Sequence, residues 1–210
     1  MREPVNTWTH FVTFLAGLVG LVFLIILSHN NPSKLITMTI YGVSVIMLYG
    51  ASTVYHWVKT TPEKQLVLRK LDHISIFLLI AGTYTPVLYY GLDGIWRWTM
   101  LFAVWALSLT GIVLKVFFIG VHRSVSTAFY ISLGWMALIP LAKLVQSFPI
   151  EAIILLFLGG LAYTIGGVIY ATKILNFFPN KFGFHEVFHI LTSLGSVLHF
   201  IMVKRFILPM

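Results

Sequence analysis

Long apolar segments dominate this chain and decide what it can fold into. Each is about 20 residues long, which is the length that an α-helix needs to cross roughly 30 Å of hydrocarbon. Short polar breaks that contain Asn, Pro or Gly separate them. The predicted spans are residues 8-28, 35-58, 71-90, 97-119, 125-145, 150-172 and 185-208. The sequence therefore predicts an all-α fold, in which residues 1-210 form a single bundle of seven transmembrane helices.

The composition supports a membrane protein and excludes several functions. Apolar residues make up 59% of the chain and charged residues only 10%, whereas about 25% of an ordinary soluble domain is charged. The net charge is +8, but the basic residues lie mainly in short loops and at helix ends, where they contact anionic headgroups. We therefore expect membrane lipids as partners and no nucleic acid. The chain has no cysteine, so histidine and carboxylate must carry any chemistry.

The basic residues also predict how the chain is oriented in the membrane. If the N-terminus is cytoplasmic, nine of them lie inside: Arg2, Lys59, Lys64, Arg69, Lys70, Lys115, Arg123, Lys173 and Lys181. Five then lie outside: Lys34, Arg97, Lys143, Lys204 and Arg205. Because cytoplasmic loops carry the excess of Lys and Arg, we expect a cytoplasmic N-terminus and an extracytoplasmic C-terminus.

The sequence His-Glu-Val-Phe-His opens the last predicted span. Its two histidines, His185 and His189, are four residues apart, so on a helix they share one face and can bind one metal ion. His56 ends the second predicted span and Asp72 opens the third, which puts both at the same cytoplasmic level as the two histidines. Polar groups at this depth are costly unless they are paired or metal-bound. We therefore predict one metal site formed by His56, His185 and His189.

Three histidines suit a catalytic zinc. Such an ion usually has three protein ligands and one open position for water, whose pKa it lowers to about 7. Asp72 is then free to orient or deprotonate that water, and Ser52, one turn before His56, is placed to hydrogen-bond the water or a developing oxyanion. Iron, cobalt and manganese are also compatible with these ligands. The alternatives are that Asp72 caps the third helix and that Ser52 packs helices together.

The first predicted helix brings further polar residues to the same level. Glu3, Asn6 and His10 are spaced i, i+3 and i+7, so they lie on one helix face. They either line the entrance of the metal site or serve as helix cap and interface anchor. The spacing alone does not separate these two roles.

Six motifs follow one another along nearly the whole chain: Glu3-x-x-Asn6-x-x-Thr9-His10, Ser52-x-x-x-His56, Lys70-Leu71-Asp72-His73, Ala81-Gly82-Thr83-Tyr84-Thr85-Pro86, Gly134-Trp135 and His185-x-x-x-His189. This ordered set resembles the hemolysin III family, the bacterial branch of the progestin and adipoQ receptor group, which is similar to the alkaline ceramidases within a wider set of seven-helix hydrolases. The resemblance implies that the three histidines bind zinc, with Asp72 and Ser52 beside it. It also implies a multi-pass protein of the bacterial cytoplasmic membrane.

Other family properties carry over less readily. The family name implies cytolysis of red cells, but these residues do not suggest a secreted pore-former. The animal hormone receptors of the group have a long cytosolic N-terminal tail, whereas the first predicted span here begins at residue 8. We therefore expect no protein hormone as a partner. The sequence does not predict an oligomeric state.

Three functions remain open from the sequence. The favoured one is zinc-dependent hydrolysis of a lipid amide or ester bond. The second is a non-enzymatic sensor or regulator of the membrane, in which zinc ties the second and seventh helices together. The third is an intramembrane metalloprotease, because His-Glu-x-x-His is also a protease motif in which Glu186 would be the general base. Such proteases commonly take a third, carboxylate ligand further along the chain, and no Asp or Glu follows His189.

Overall fold

The computed structural model describes residues 1–178 and 182–210, and the described chain is helical apart from one isolated β-bridge between Phe178 and Phe182. Its α-helices are α1 (Pro4–Ser28), α2 (Pro32–Trp57), α3 (Pro62–Gly91), α4 (Gly94–Phe117), α5 (Arg123–Gly134), α6 (Leu141–Ser147), α7 (Ile150–Thr172) and α8 (Phe184–Met202). A 3-10 turn, Met136–Leu138, joins α5 to α6, and a π-helical turn, Val203–Ile207, extends α8. The all-α prediction is confirmed for these residues.

Within the described ranges, six helices are long and apolar enough to cross a membrane: α1, α2, α3, α4, α7, and α8 with its π-helical extension. The pair α5 and α6 passes the same test only when taken together, and it is bent by 54°. The span predicted over residues 125-145 is therefore not one continuous helix but two helices with a bend between them. Pro140 lies at the bend. Proline has no N–H to donate and its ring clashes with the carbonyl group four residues earlier, here that of Met136, which explains why the helix is interrupted in this region.

Tyr84 of α3 satisfies the backbone at this interruption. Its hydroxyl donates to the carbonyl oxygen of Gly134 and accepts from the N–H of Ala137 at 2.8 Å. Irregular backbone at membrane depth is tolerated only where protein or water satisfies its polar groups. The tyrosine therefore stabilises the bend between α5 and α6.

The bent pair runs between opposite ends of α3. Near one end, the Tyr130 hydroxyl of α5 donates to the carbonyl oxygen of His73 at 3.3 Å. At the other end, a Cβ added to Gly91 would lie 2.7 Å from Leu144 of α6. Residues 123–147 therefore lead along α3 from the level of His73 to its C-terminal end.

Several predicted boundaries differ from the structure. The first helix begins at Pro4 rather than residue 8, and the third begins at Pro62 rather than residue 71, so most of the predicted loop between Lys59 and Lys70 is helical. These turns carry polar and charged residues, so hydropathy does not reveal them. The last predicted span, 185-208, changes from α- to π-helix after Met202. Lys181, predicted to be cytoplasmic, lies outside the described residues.

Glycines let α7 and α8 pack closely. A Cβ added to Gly159 would lie 2.3 Å from the His199 ring, and one added to Gly195 would lie 2.9 Å from the Tyr163 ring. Small residues of this kind allow helices to approach within a bilayer. Between α2 and α8, the Tyr49 hydroxyl donates to the carbonyl oxygen of Thr192 at 3.0 Å. These contacts hold α2 and α7 against α8.

Candidate metal centre

Three histidines meet where α2 ends and α8 begins. One ring nitrogen from each of His56, His185 and His189 lies within 4.8 Å of the other two. His56 is fully buried and His189 is 1% exposed, whereas His185 is partly buried. The i, i+4 spacing on α8 directs both of its histidines toward the last turn of α2. The structure therefore brings together all three residues that the sequence predicted as ligands.

The donor atoms in this cluster fit a metal ion. His56 Nε2 is buried and has no hydrogen-bond partner, and leaving such an atom unpaired costs free energy. The other ring nitrogen of His56, Nδ1, is hydrogen-bonded to Glu3, and Nδ1 of His189 lies 3.3 Å from the carbonyl oxygen of Asn6. Each of these two histidines thus keeps Nε2 for a ligand. Neutral imidazoles are suitable zinc ligands, and three of them leave one coordination position open.

Glu3 orients His56. Its carboxylate accepts a hydrogen bond from His56 Nδ1 at 2.6 Å. Burial raises the pKa of Glu3, but its interactions with His56 and its hydrogen bond from Asn6 outweigh this and bring the pKa to about 2. A carboxylate on Nδ1 fixes the tautomer that turns the Nε2 lone pair toward the cluster. Glu3 makes no side-chain capping bond to α1, and its carboxylate instead contacts Arg2, Asn6 and the candidate metal ligand His56.

Asn6 links the two carboxylates at this end of the bundle. Its amide nitrogen donates to Glu3 Oε2 and to Glu186 Oε1, both at 3.0 Å. The second oxygen of Glu186, Oε2, accepts from the N–H of Gly183 at 2.8 Å. One oxygen of Glu186 therefore joins the first turn of α8 to α1, and the other caps the N-terminus of α8. This arrangement does not favour the general-base role that the protease hypothesis gives to Glu186.

His10 lies against the cluster. Its ring stacks on His189 with 3.7 Å between the centroids, and its Nδ1 lies 2.8 Å from Ser52 Oγ. His10 Nε2 is buried without a partner. Sequence reasoning did not assign His10 a role, although the i, i+3, i+7 spacing with Glu3 and Asn6 placed it on the correct face. Ser52, 1% exposed, is thus hydrogen-bonded to a histidine that packs on a candidate ligand.

A cavity of about 290 Å³ opens beside the histidines. Asp72 and Ser52 line it, as do His185 and His189, whereas His56 lies behind them. Asp72 is only partly buried and forms no ion pair within 4.0 Å among the described residues. The structure therefore places both predicted catalytic residues on the same cavity as two of the predicted ligands. Their catalytic roles remain predictions.

Glu3→Gln tests the orienting contact. The amide keeps the shape of the side chain but loses the charge that favours the Nδ1–H tautomer of His56, so we expect zinc affinity to fall about 10- to 100-fold. Competition with a chromogenic chelator measures the affinity. Glu63→Gln makes the same change on an exposed residue in the first turn of α3 and should leave affinity unchanged. Equal affinity in Glu3→Gln and wild type would show that Glu3 does not support the site.

The sequence matches known proteins along most of its length. The family model described as "Haemolysin-III related" matches residues 1–200. The "Hemolysin-3 homolog" of Bacillus subtilis (strain 168) is 37% identical, over 96% of this chain and 92% of its own length. "Hemolysin-3" of Bacillus cereus is 34% identical over 99% and 93%, and the "Adiponectin receptor protein" of Drosophila melanogaster is 26% identical over 94% and 49%.

Proposed function

The chain belongs to the haemolysin-III-related family of multi-pass membrane proteins, and on this premise we propose that it is a zinc-dependent hydrolase of a lipid amide or ester bond. One observation carries the proposal: His185, His189 and Asp72 line a single cavity whose deeper walls are largely apolar. A metal site, a free carboxylate and an apolar cavity together suit cleavage of a molecule with an acyl chain.

His56, His185 and His189 would hold the metal. Bound there, zinc would supply a Lewis acid that polarises a carbonyl group and lowers the pKa of water. Asp72 accepts a proton from the attacking water and passes it to the leaving amine or alcohol. Ser52 donates a hydrogen bond to the carbonyl oxygen as negative charge develops, while His10 positions its hydroxyl.

The cavity has the proportions of an acyl chain. Along α3 its lining extends from Arg69 to Val87, 18 positions apart in the sequence, which corresponds to about 27 Å at 1.5 Å per residue. This is close to the thickness of the hydrocarbon core. Its deeper walls include Leu79, Ile80 and Phe157. A peptide would leave backbone polar groups unpaired in such surroundings, so a lipid is the better substrate.

Chelation is the experiment that tests this function. Purified protein should release fatty acid from a long-chain amide or ester, and removal of zinc should abolish release until zinc is restored. Liquid chromatography with mass spectrometry measures the product. If zinc is bound but no such lipid is cleaved, the metal is structural and the sensor hypothesis replaces the hydrolase. Cleavage of a membrane peptide but of no lipid would instead favour the protease.

We also propose that residues 123–147 form the fifth of seven crossings, with the N-terminus in the cytoplasm and the C-terminus outside. The end of α2 and the beginning of α8 meet at the metal cluster, so an even number of crossings must separate them. The helices α3, α4 and α7 supply three, and the bent α5 and α6 pair supplies the fourth by carrying the chain from the metal end to the opposite end of α3. The excess of basic residues at the metal end favours a cytoplasmic location for that end.

Reporter fusions test this topology. A reporter after Met210 should be active only outside the cytoplasm, and reporters at Thr60 and Leu175 should both be active only inside. If all three reporters give the opposite result, the chain is inverted in the membrane and the metal site is intact. Opposite locations for Thr60 and Leu175 would separate His56 from His185 by about 30 Å of bilayer, which is incompatible with one metal site.

A further inference from the structure

Lys115 is a buried cation without an acidic partner. It lies in the last turn of α4 and is 6% exposed. Its ammonium group donates to the hydroxyl of Ser126. All six acidic residues of the chain fall within the described ranges, and none forms an ion pair with Lys115 within 4.0 Å. Because a buried charge is costly unless an opposite charge or several hydrogen bonds compensate it, this site favours an anion from outside the chain.

Arg123 is a second basic side chain whose polar atoms are not all paired within the described residues. Its Nε is buried and has no hydrogen-bond partner. The guanidinium carbon lies 6.0 Å from the centre of the Tyr170 ring and 5.7 Å from that of Phe184. Aromatic rings on this side hold the guanidinium group in place but do not neutralise it. Arginine is well suited to phosphate because its planar group can donate two parallel hydrogen bonds.

Both cations line the cavity that contains the candidate catalytic residues. Arg69 also lines it, and Asp72 is the one acidic residue among its described lining. Three basic side chains and one carboxylate therefore line the part of the cavity formed by α3, the end of α4 and the beginning of α5. The walls toward the other end, including Leu79, Val87 and Leu156, are apolar. This polarity matches a molecule with an anionic head and a hydrocarbon tail.

We propose that Arg69, Lys115 and Arg123 bind the phosphate group of a lipid whose acyl chain occupies the apolar part of the cavity. The inference rests on the proposed function, because it names the substrate class of the same site. With the phosphate at the cations and the chain along α3, the ester or amide carbonyl near the head of the lipid lies at the level of Asp72 and His185. Phospholipids are then preferred over uncharged lipids that carry the same chain.

Binding can be measured without turnover. The probes are non-hydrolysable ether analogues of lysophosphatidic acid and of monoacylglycerol with the same octadecenyl chain, and inorganic phosphate, each titrated calorimetrically into the zinc-loaded full chain in an uncharged detergent. We expect the lysophosphatidic acid analogue to bind on the order of tenfold or more tightly than the monoacylglycerol analogue. Lys115→Gln with Arg123→Gln should reduce this difference to about twofold or less. The control, Lys143→Gln on α6, removes a basic side chain that does not line the cavity and should preserve the difference.

A charge-retaining variant separates binding from folding. Lys115→Arg should bind the phospholipid nearly as well as wild type, whereas equal loss in Lys115→Arg and Lys115→Gln would mean that the lysine only supports packing. The proposal is overturned if the two lipids bind equally, if the double variant keeps the difference, or if inorganic phosphate binds as tightly as the phospholipid. Binding that discriminates for phosphate without any hydrolysis would refute the hydrolase and leave this site standing. Hydrolysis without discrimination would refute only the phosphate site.

Discussion

Asp72→Asn is expected to abolish lipid hydrolysis while the metal stays bound. Asparagine has nearly the same shape as aspartate, but its amide cannot accept the proton of the attacking water. Loss of a general base typically lowers the rate about 100- to 10,000-fold, so kcat should fall by that amount with little change in KM. Fatty-acid release and zinc content, measured on the same preparation, check both parts of the prediction.

Glu186→Gln is the matched control for Asp72→Asn. It also exchanges a carboxylate for an amide, but Glu186 has both oxygens hydrogen-bonded, to Asn6 and to Gly183. A glutamine oxygen can still accept from Gly183, so we expect kcat to stay within about threefold of wild type. The opposite pattern, an inactive Glu186→Gln and an active Asp72→Asn, would contradict the assigned roles and restore the protease hypothesis.

Replacing any one of His56, His185 and His189 by alanine is expected to remove most of the bound zinc. A three-ligand site that loses a ligand must bind the metal through two imidazoles, which lowers the affinity steeply. Elemental analysis of each purified variant measures the zinc per chain. His199→Ala is the control, because His199 is also a buried histidine of α8 but contacts the carbonyl oxygen of Leu156 instead of the cluster.

Thermal melting of these variants separates metal loss from unfolding. A variant that melts like His199→Ala but lacks zinc has lost a ligand and not the fold. Full zinc occupancy in His56→Ala would remove His56 from the site, and the Glu3 contact would then need another explanation.

The sequence predicts the histidine cluster because two regular patterns determine it. The i, i+4 spacing puts His185 and His189 on one helix face, and the length of the apolar segments puts His56 at the same depth. Both inferences need only the rise and the period of an α-helix. They tolerate errors of a few residues in helix boundaries, such as the earlier starts of α1 and α3.

The contacts around the cluster depend on how helices rotate against one another, which the sequence does not specify. Glu3 and His56 are 53 residues apart, and their pairing follows from the packing of α1 on α2. The stacking of His10 on His189 likewise depends on where α1 lies against α8. For these reasons Glu3 and His10 were recognised as lying on one helix face but not as neighbours of particular histidines.

The break in the fifth span shows a second limit. Pro140 is visible in the sequence, yet many transmembrane helices continue through proline because neighbouring groups satisfy the freed backbone. Here Tyr84, more than 50 positions earlier, supplies those hydrogen bonds to an irregular turn. The cavity beside this turn is also a product of packing. Neither the bend nor the cavity could be inferred from hydropathy.

X-ray absorption at the zinc edge, combined with metal quantification, tests the central claim most directly. It reports the number, type and distance of the atoms bound to the metal in the intact protein. Three histidine ligands predict about one zinc per chain and a shell containing three imidazole nitrogens at about 2.0–2.1 Å. Purified protein that binds no zinc, or zinc surrounded by oxygen without the multiple scattering of imidazole, would contradict a site formed by His56, His185 and His189.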